Sequence, residues 1–334
     1  MLAAILGLRG ESLQEDERAF FRESDPAGFI LFTRNCRDRA QLRGLTDSLR
    51  ALSARADLPI LIDQEGGRVA RLRPPEWPQF PAPGRFAELY RKAPISAIEA
   101  ARVNAHAIAV TLADVGINVN CAPLLDVPQP GAHEVIGDRA LGDEPMQVAA
   151  LGRAVLDGLS AGRVCGVIKH LPGHGRAGSD SHVELPVVEA SDEALAADLA
   201  PFRALRDAPM AMTAHVLYPT WDAGHCATVS AAVIARIIRG EIGFDGLLMS
   251  DDLAMEALSG ALAARAEAAI AAGCDVVLHG SGKLDENEAV AAAAGAASDA
   301  AAERLARAMA GARPAAAADF EALTAKRDAL LACA

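Results

Sequence analysis

The sequence predicts a (β/α)8 barrel, and three observations carry that prediction. Short apolar runs alternate with helical patterns along the whole chain, as a parallel sheet with crossover helices requires. There are eight such units, at 334 residues in all. That length would allow two domains or one barrel and does not decide between them, but eight consecutive units make a single catalytic barrel domain spanning 1–334 the expectation. Polar and titratable residues also collect where the apolar runs end, which is where a barrel of this kind builds its active site.

The strands are expected at 3–8, 28–32, 59–63, 116–122, 166–170, 208–215, 246–251 and 274–279. Apolar residues at helical spacing predict helices near 12–23, 38–54, 96–114, 145–162, 192–206, 229–240, 255–272 and 286–311. Ala-rich segments at 261–272 and 289–302 carry charges and are expected on the outside of the barrel.

The first run is too short and lacks the basic flank of a signal peptide, so it is expected as a strand. No apolar run approaches the roughly 18 residues of a transmembrane helix, so no membrane partner is expected. Half the residues are hydrophobic and 23% are charged, ordinary for a protein with a large core. A net charge of −12 with scattered Lys and Arg argues against nucleic acid as a partner and leaves small substrates open. Six cysteines, at 36, 121, 165, 226, 274 and 333, show no CxxC or disulfide-like spacing. They are expected as reduced thiols of a cytoplasmic protein.

Taken in order, the strand ends deliver chemistry. The third ends in Asp63-Gln-Glu-Gly-Gly-Arg-Val-Ala-Arg71, where two glycines permit a tight turn, Asp63 can accept from hydroxyls and Arg71 can donate. The fourth leads through Asp126 into a long non-periodic excursion that reaches Arg139, a length often tied to function. The sixth ends at His215, the seventh at Asp251-Asp252 and the eighth at His279. Each also fits an ordinary role: Asp126 as a turn cap, Arg139 in an ion pair, His215 as a satisfied core imidazole. One of Asp251 and Asp252 is expected to cap the helix that follows. Those roles explain the residues singly and leave their arrival at one end of the strands unexplained.

The fifth strand is the richest. It places Lys169, His170, His174, Asp180 and His182 in fourteen glycine-rich residues. Gly173-His-Gly-Arg-Ala-Gly178 matches a dinucleotide fingerprint in letters, but that fingerprint must open a helix. Residues 179–187 have no helical period and contain Pro186, so the match is read as accidental. His170, His174 and His182 as metal ligands are a second reading, weakened because Pro172 and Gly173 forbid the helix that would put the first two rings on one face. A third makes Asp180 and His182 an orienting pair, the carboxylate holding the imidazole as a general acid that also serves as base.

The motifs together resemble glycoside hydrolase family 3, and within it the single-domain β-N-acetylglucosaminidases of bacterial cell-wall recycling. The carriers are Gly28-Phe-Ile-Leu-Phe-Thr-Arg-Asn35, Asp63-Gln-Glu-Gly-Gly-Arg-Val69, Ile136-Gly-Asp-Arg139, Lys169-His-Leu-Pro-Gly-His-Gly175, Asp180-Ser-His182 and Phe244-Asp-Gly-Leu-Leu-Met-Ser-Asp-Asp252. They fall in the expected order. Departures are Leu171 in place of Phe or Ser, Cys121 in place of an aromatic, and His279-Gly280 in place of Cys-Asn.

The resemblance implies Asp251 as nucleophile, His182 as acid/base and Asp180 as its partner. It implies Asp63, Arg71, Arg139, Lys169 and His170 as groups that grip the terminal sugar, with no cofactor. The implied partner is a small carbohydrate, an N-acetylglucosamine-containing muropeptide. The implied reaction is release of terminal β-linked N-acetylglucosamine with retention through a covalent glycosyl-enzyme, for which a carboxylate and a proton donor must face each other across the anomeric carbon. The glycine-flanked loop would let the donor swing in on substrate binding. Two alternatives stay open: a phosphorolytic member of the family, since a histidine donor does not repel phosphate, and a metal-dependent barrel hydrolase using the three histidines with Asp63 or Asp251.

Overall fold

Segments of four to six apolar residues flanked by turn-forming residues cannot make stable helices, and buried on both faces they make parallel strands. The run Leu2–Gly7 is such a segment, buried at every position. The computed structural model describes residues 1–312 and 318–332.

Its elements in chain order begin with β1 (Leu2–Gly7), α1 (Glu15–Ser24), β2 (Pro26–Leu31), α2 (Arg39–Ser53), β3 (Ile60–Ile62), β4 (Gln64–Gly66), β5 (Val69–Ala70), α3 (Pro83–Lys92) and α4 (Pro94–Asp114). They continue with β6 (Val119–Asn120), α5 (Pro145–Ala161), β7 (Cys165–Leu171), α6 (Asp192–Ala204), β8 (Met210–Thr213) and a π-helical segment (Val233–Ile242). The chain closes with β9 (Leu247–Asp252), α7 (Leu262–Ala272), β10 (Val276–His279), α8 (Leu284–Ala294), α9 (Asp299–Met309) and α10 (Phe320–Leu331).

Eight of the strands close a parallel barrel in the order β1-β10-β9-β8-β7-β6-β3-β2, while β4 and β5 pair as a separate antiparallel hairpin. The expected (β/α)8 barrel is therefore the architecture. Its interior is packed by Ile5, Ile30, Leu61, Val119, Val167, Met210, Leu247, Met249 and Val276, among others. A larger layer between strands and helices contains Leu42, Leu49, Leu112, Leu159, Phe202 and Phe244. Each such side chain contributes about 1.5–3 kcal/mol on burial, which makes the barrel a rigid base for its loops.

All eight expected strands exist, but four elements differ from expectation. The fourth strand pairs only at Val119–Asn120 instead of 116–122. Gly116 turns with φ +77, and at Asn118 the side chain shares in the pairing, accepting from Ile60 N at 2.8 Å and donating to Leu58 O at 3.0 Å. The helix expected at 286–311 is two helices. Gly295, at φ +66, ends α8, its carbonyl accepts from Ala3 N at 2.9 Å, and Ser298 then caps α9.

The helix expected at 255–272 starts only at Leu262, and the one at 229–240 is π-helical from Val233 to Ile242. Helices α3 and α10 and the β4–β5 hairpin were not foreseen. Five cysteines are free thiols, and Cys333 lies outside the described residues. Among the described residues no helix is long and apolar enough to cross a membrane.

Candidate active site

At the C-terminal end of the barrel a cavity of about 370 Å³ opens, and all eight candidate residues line it: Asp63, Arg71, Arg139, Lys169, His170, Asp180, His182 and Asp251. They come from the residue that joins β3 to β4, from β7 and β9, and from the loops that follow β5, β6 and β7. Strand alternation and the barrel's tilt bring them together, so residues far apart in sequence share one rim.

One wall is an ion network. Lys169, 2% exposed, sends Nζ to Asp63 Oδ1 at 3.0 Å and to Glu65 Oε1 at 2.7 Å. Arg71 donates to Asp63 Oδ2 at 3.0 Å. Arg139 grips Glu65 through both oxygens, at 2.9 and 2.8 Å, and donates to Val135 O at 3.1 Å.

Burial opposes ionisation of both acids, but the cations outweigh it. Asp63 lies well below the usual carboxylate range, mainly through Lys169 and Arg71, and Glu65 falls to about 2, mainly through Lys169 and Arg139. The same acids hold Lys169 and Arg139 in their charged forms against burial. The hairpin that carries Glu65 turns through Gly66 and Gly67, at φ +103 and +57, and a Cβ on Gly66 would stand 2.2 Å from Pro81 O. The two glycines are thus required by conformation and by packing.

The floor is built around Asp251. Its Oδ1 accepts from the Asp252 amide at 2.8 Å, and its Oδ2 lies 4.0 Å from His170 Nε2. Burial raises the cost of its charge, and His170, His215, the Asp252 amide and Lys169 together more than compensate, so its carboxyl is held below the usual range.

His170 is fixed by fully buried Asp126, whose Oδ2 is 2.7 Å from His170 Nδ1 and whose Oδ1 accepts from the backbone of His170 and His174. His215 is buried between Thr228 Oγ1 at 2.7 Å and Asp252 O at 3.0 Å, and burial pushes its imidazole toward the neutral form. Asp252 caps a turn and not the next helix: its Oδ1 accepts from Ala254 N at 2.9 Å and Gly280 N at 3.1 Å. Burial drives its carboxyl upward, the opposite of its neighbour. Two adjacent acids therefore have separate jobs, one facing the cavity as a carboxylate and one shaping the chain.

The roof is the loop 172–187. His182 Nδ1 is 2.7 Å from Asp180 Oδ1, and the same oxygen accepts from the His182 amide at 2.9 Å. Burial disfavours the Asp180 charge, but these bonds hold its carboxyl below the usual range. With Nδ1 engaged, Nε2 of His182 is the nitrogen left to exchange a proton, on a side chain 64% exposed toward solvent and cavity.

Nothing about Gly173, Gly175 and Gly178 is a phosphate cradle. Gly173 has φ +138, a Cβ on Gly175 would stand 2.1 Å from Val127 O, and no helix follows. His174 is turned to Ser181 Oγ at 3.2 Å, so His170 at the end of β7 and His174 and His182 in the loop engage three different partners. Among the described residues no group of three or more His, Cys, Asp or Glu side chains is arranged to hold a metal ion.

Glu65, two residues past Asp63, joins the site without any expectation from the sequence, and Asp126 does more than cap a turn, since it holds His170. A carboxylate beside two glycines was the only available sign of Glu65.

The profile of the glycosyl hydrolase family 3 N terminal domain matches residues 4–309. The chain is 41% identical over 280 residues to a beta-hexosaminidase of Aromatoleum aromaticum, covering 82% of this chain and 78% of that one. Native NagZ from Neisseria gonorrhoeae superimposes with a TM-score of 0.85 at 32% identity, covering 99% of this chain and 96% of the other. The same protein in complex with N-trifluoroacetyl-D-glucosamine gives a TM-score of 0.87 at 31% identity, with coverage of 99% and 97%.

Proposed function

Because the chain belongs to glycosyl hydrolase family 3 and is a glycoside hydrolase, we propose that it releases terminal β-linked N-acetylglucosamine with retention. The observation that carries the reading is one cavity with a depressed-pKa carboxylate, Asp251, on its floor and the His182–Asp180 pair on its roof. The similarity to beta-hexosaminidases and to a structure with an N-acylated glucosamine supports the choice of sugar.

In the first step an Asp251 oxygen attacks the anomeric carbon as the glycosidic C–O bond breaks. His182 Nε2 gives its proton to the departing oxygen. In the second, His182 Nε2 takes a proton from water, whose oxygen attacks the same carbon and releases Asp251, so two inversions give retention. Asp63, Lys169, Arg71 and Arg139, already paired in the network, hold the sugar hydroxyls at little cost in reorganisation, and His170, oriented by Asp126, adds a further contact. The substrate we propose is an N-acetylglucosamine-containing cell-wall muropeptide, processed in the cytoplasm during peptidoglycan recycling.

A slow 2-fluoro sugar substrate should leave one sugar on Asp251, seen by mass spectrometry of the quenched protein and its peptides. An unlabelled Asp251, with turnover surviving Asp251→Ala, overturns the assignment. Running the hydrolysis with inorganic phosphate reads the alternative acceptor directly: sugar 1-phosphate as product would make the enzyme a phosphorylase.

A further inference from the structure

The loop that carries the acid/base pair has one buried charged contact that the proposed chemistry does not use. Arg176 sends Nε to Asp198 Oδ2 at 2.5 Å and a second nitrogen to Ala194 O at 3.0 Å, both acceptors on α6. Neither Arg176 nor Asp198 lines the sugar cavity, so any influence on the reaction must pass through the loop.

The pair is a poor source of stability. Asp198 is only 5% exposed, its Oδ1 has no hydrogen-bond partner among the described residues, and burial pushes its carboxyl up to about 6 in spite of Arg176. Buried ion pairs with unmet hydrogen-bonding capacity are often no better than apolar contacts of the same volume, so a positional role is the more economical account.

The contact sits at the root of the loop. A Cβ on Gly173 would come within 3.4 Å of Asp198 Cβ, so α6 packs directly beneath that residue. Backbone bonds from Gln129 N to Gly175 O at 3.0 Å and from His133 N to Ala177 O at 2.9 Å complete the anchor. Beyond Ala177, Ser181 is held by Ala257 N on its carbonyl at 3.2 Å and by His174 at its hydroxyl at 3.2 Å, and the far anchor is a pair of backbone bonds at 2.9 Å, Leu217 N to Pro186 O and Val188 N to Leu217 O. His182 thus hangs between two anchors, and only the near one includes a charged, directional bond to a helix.

We propose that Arg176 and Asp198 are positioning residues that set the placement of His182 over the sugar by locking the root of its loop to α6. The proposal rests on the reading of His182 as proton donor. A donor shifted by even about 1 Å loses much of its effect, and the loss is felt most by leaving groups that need a proton.

Steady-state kinetics of the full chain test this with two β-N-acetylglucosaminides, one with an activated nitrophenyl leaving group and one with an alkyl or sugar leaving group. For Arg176→Met and Asp198→Asn, kcat/KM on the unactivated substrate should fall about tenfold or more, with the activated one within about threefold. Arg176→Lys should recover part of the loss. Equal losses on both substrates, or no loss on either, overturn the proposal. If Arg176→Met does not fold, Arg176→Lys and Asp198→Asn carry the same comparison. His182→Ala is run alongside: absence of a leaving-group contrast there defeats the donor assignment and the proposal with it. A contrast in His182→Ala alone defeats only the role of Arg176 and Asp198.

Discussion

Asp251 shows how one side chain is made fit for attack. A nucleophile must be ionised while buried enough to shed water, and here the cost of burial is met by His170, His215, the Asp252 amide and Lys169. The folded-state pKa is below the usual value, so the carboxylate form persists as pH falls through the ordinary aspartate range. The acid limb of kcat/KM should accordingly lie below that range. Removing the nearest imidazole in His170→Asn should move the limb to higher pH, because the charged form of Asp251 loses the neighbour that most favours it. A pH–rate profile of both proteins on an activated aryl substrate checks this. An acid limb that stays put in the variant would mean that His170 serves the sugar and not the nucleophile.

At the scale of elements, Lys169 is where β7 meets β3 and the β4–β5 hairpin, through Asp63 and Glu65. Lys169→Met leaves two buried carboxylates short of a cation, and such a break costs about 3–5 kcal/mol. A calorimetric Tm several degrees lower is expected, with a larger fall in kcat/KM than the stability loss explains. An unchanged Tm would show that Arg71 and Arg139 suffice. The sequence exposed the ends of this network because Asp63, Lys169 and His170 each close an apolar run. It hid the middle, since Glu65 acquires its role from Arg139, 74 residues away. It also hid the hairpin, whose residues show no alternation of apolar and polar, and the break between α8 and α9, where a single Gly295 interrupts an Ala-rich stretch of uniform helix propensity. Local pattern reports apolar faces; it does not report which distant charge a side chain will meet.

For the whole molecule, these linked acids govern behaviour in acid. Asp63, Glu65, Asp126 and Asp251 all have folded-state pKa values below their unfolded ones, so each contributes stability above the unfolded value that is lost as pH falls through the folded one. For Glu65 that window runs from 4.5 down to about 2. Asp198 works the other way: pushed up to about 6, its protonation favours the folded state below that pH. General charge repulsion would give a different curve. The chain has 44 acidic against 32 Lys and Arg residues, so mild acid first reduces its net charge of −12 and relieves repulsion. A Tm that holds to about pH 4.5 and then falls steeply is the signature of the buried network rather than of net charge. Glu65→Gln should lower Tm at neutral pH, because Lys169 and Arg139 lose a carboxylate, and should flatten the fall below pH 4.5, because one of the linked protons has gone. Calorimetry of both proteins across this range decides it: parallel curves would show that Glu65 titrates alike in the folded and unfolded states, and that acid unfolding begins elsewhere in the barrel.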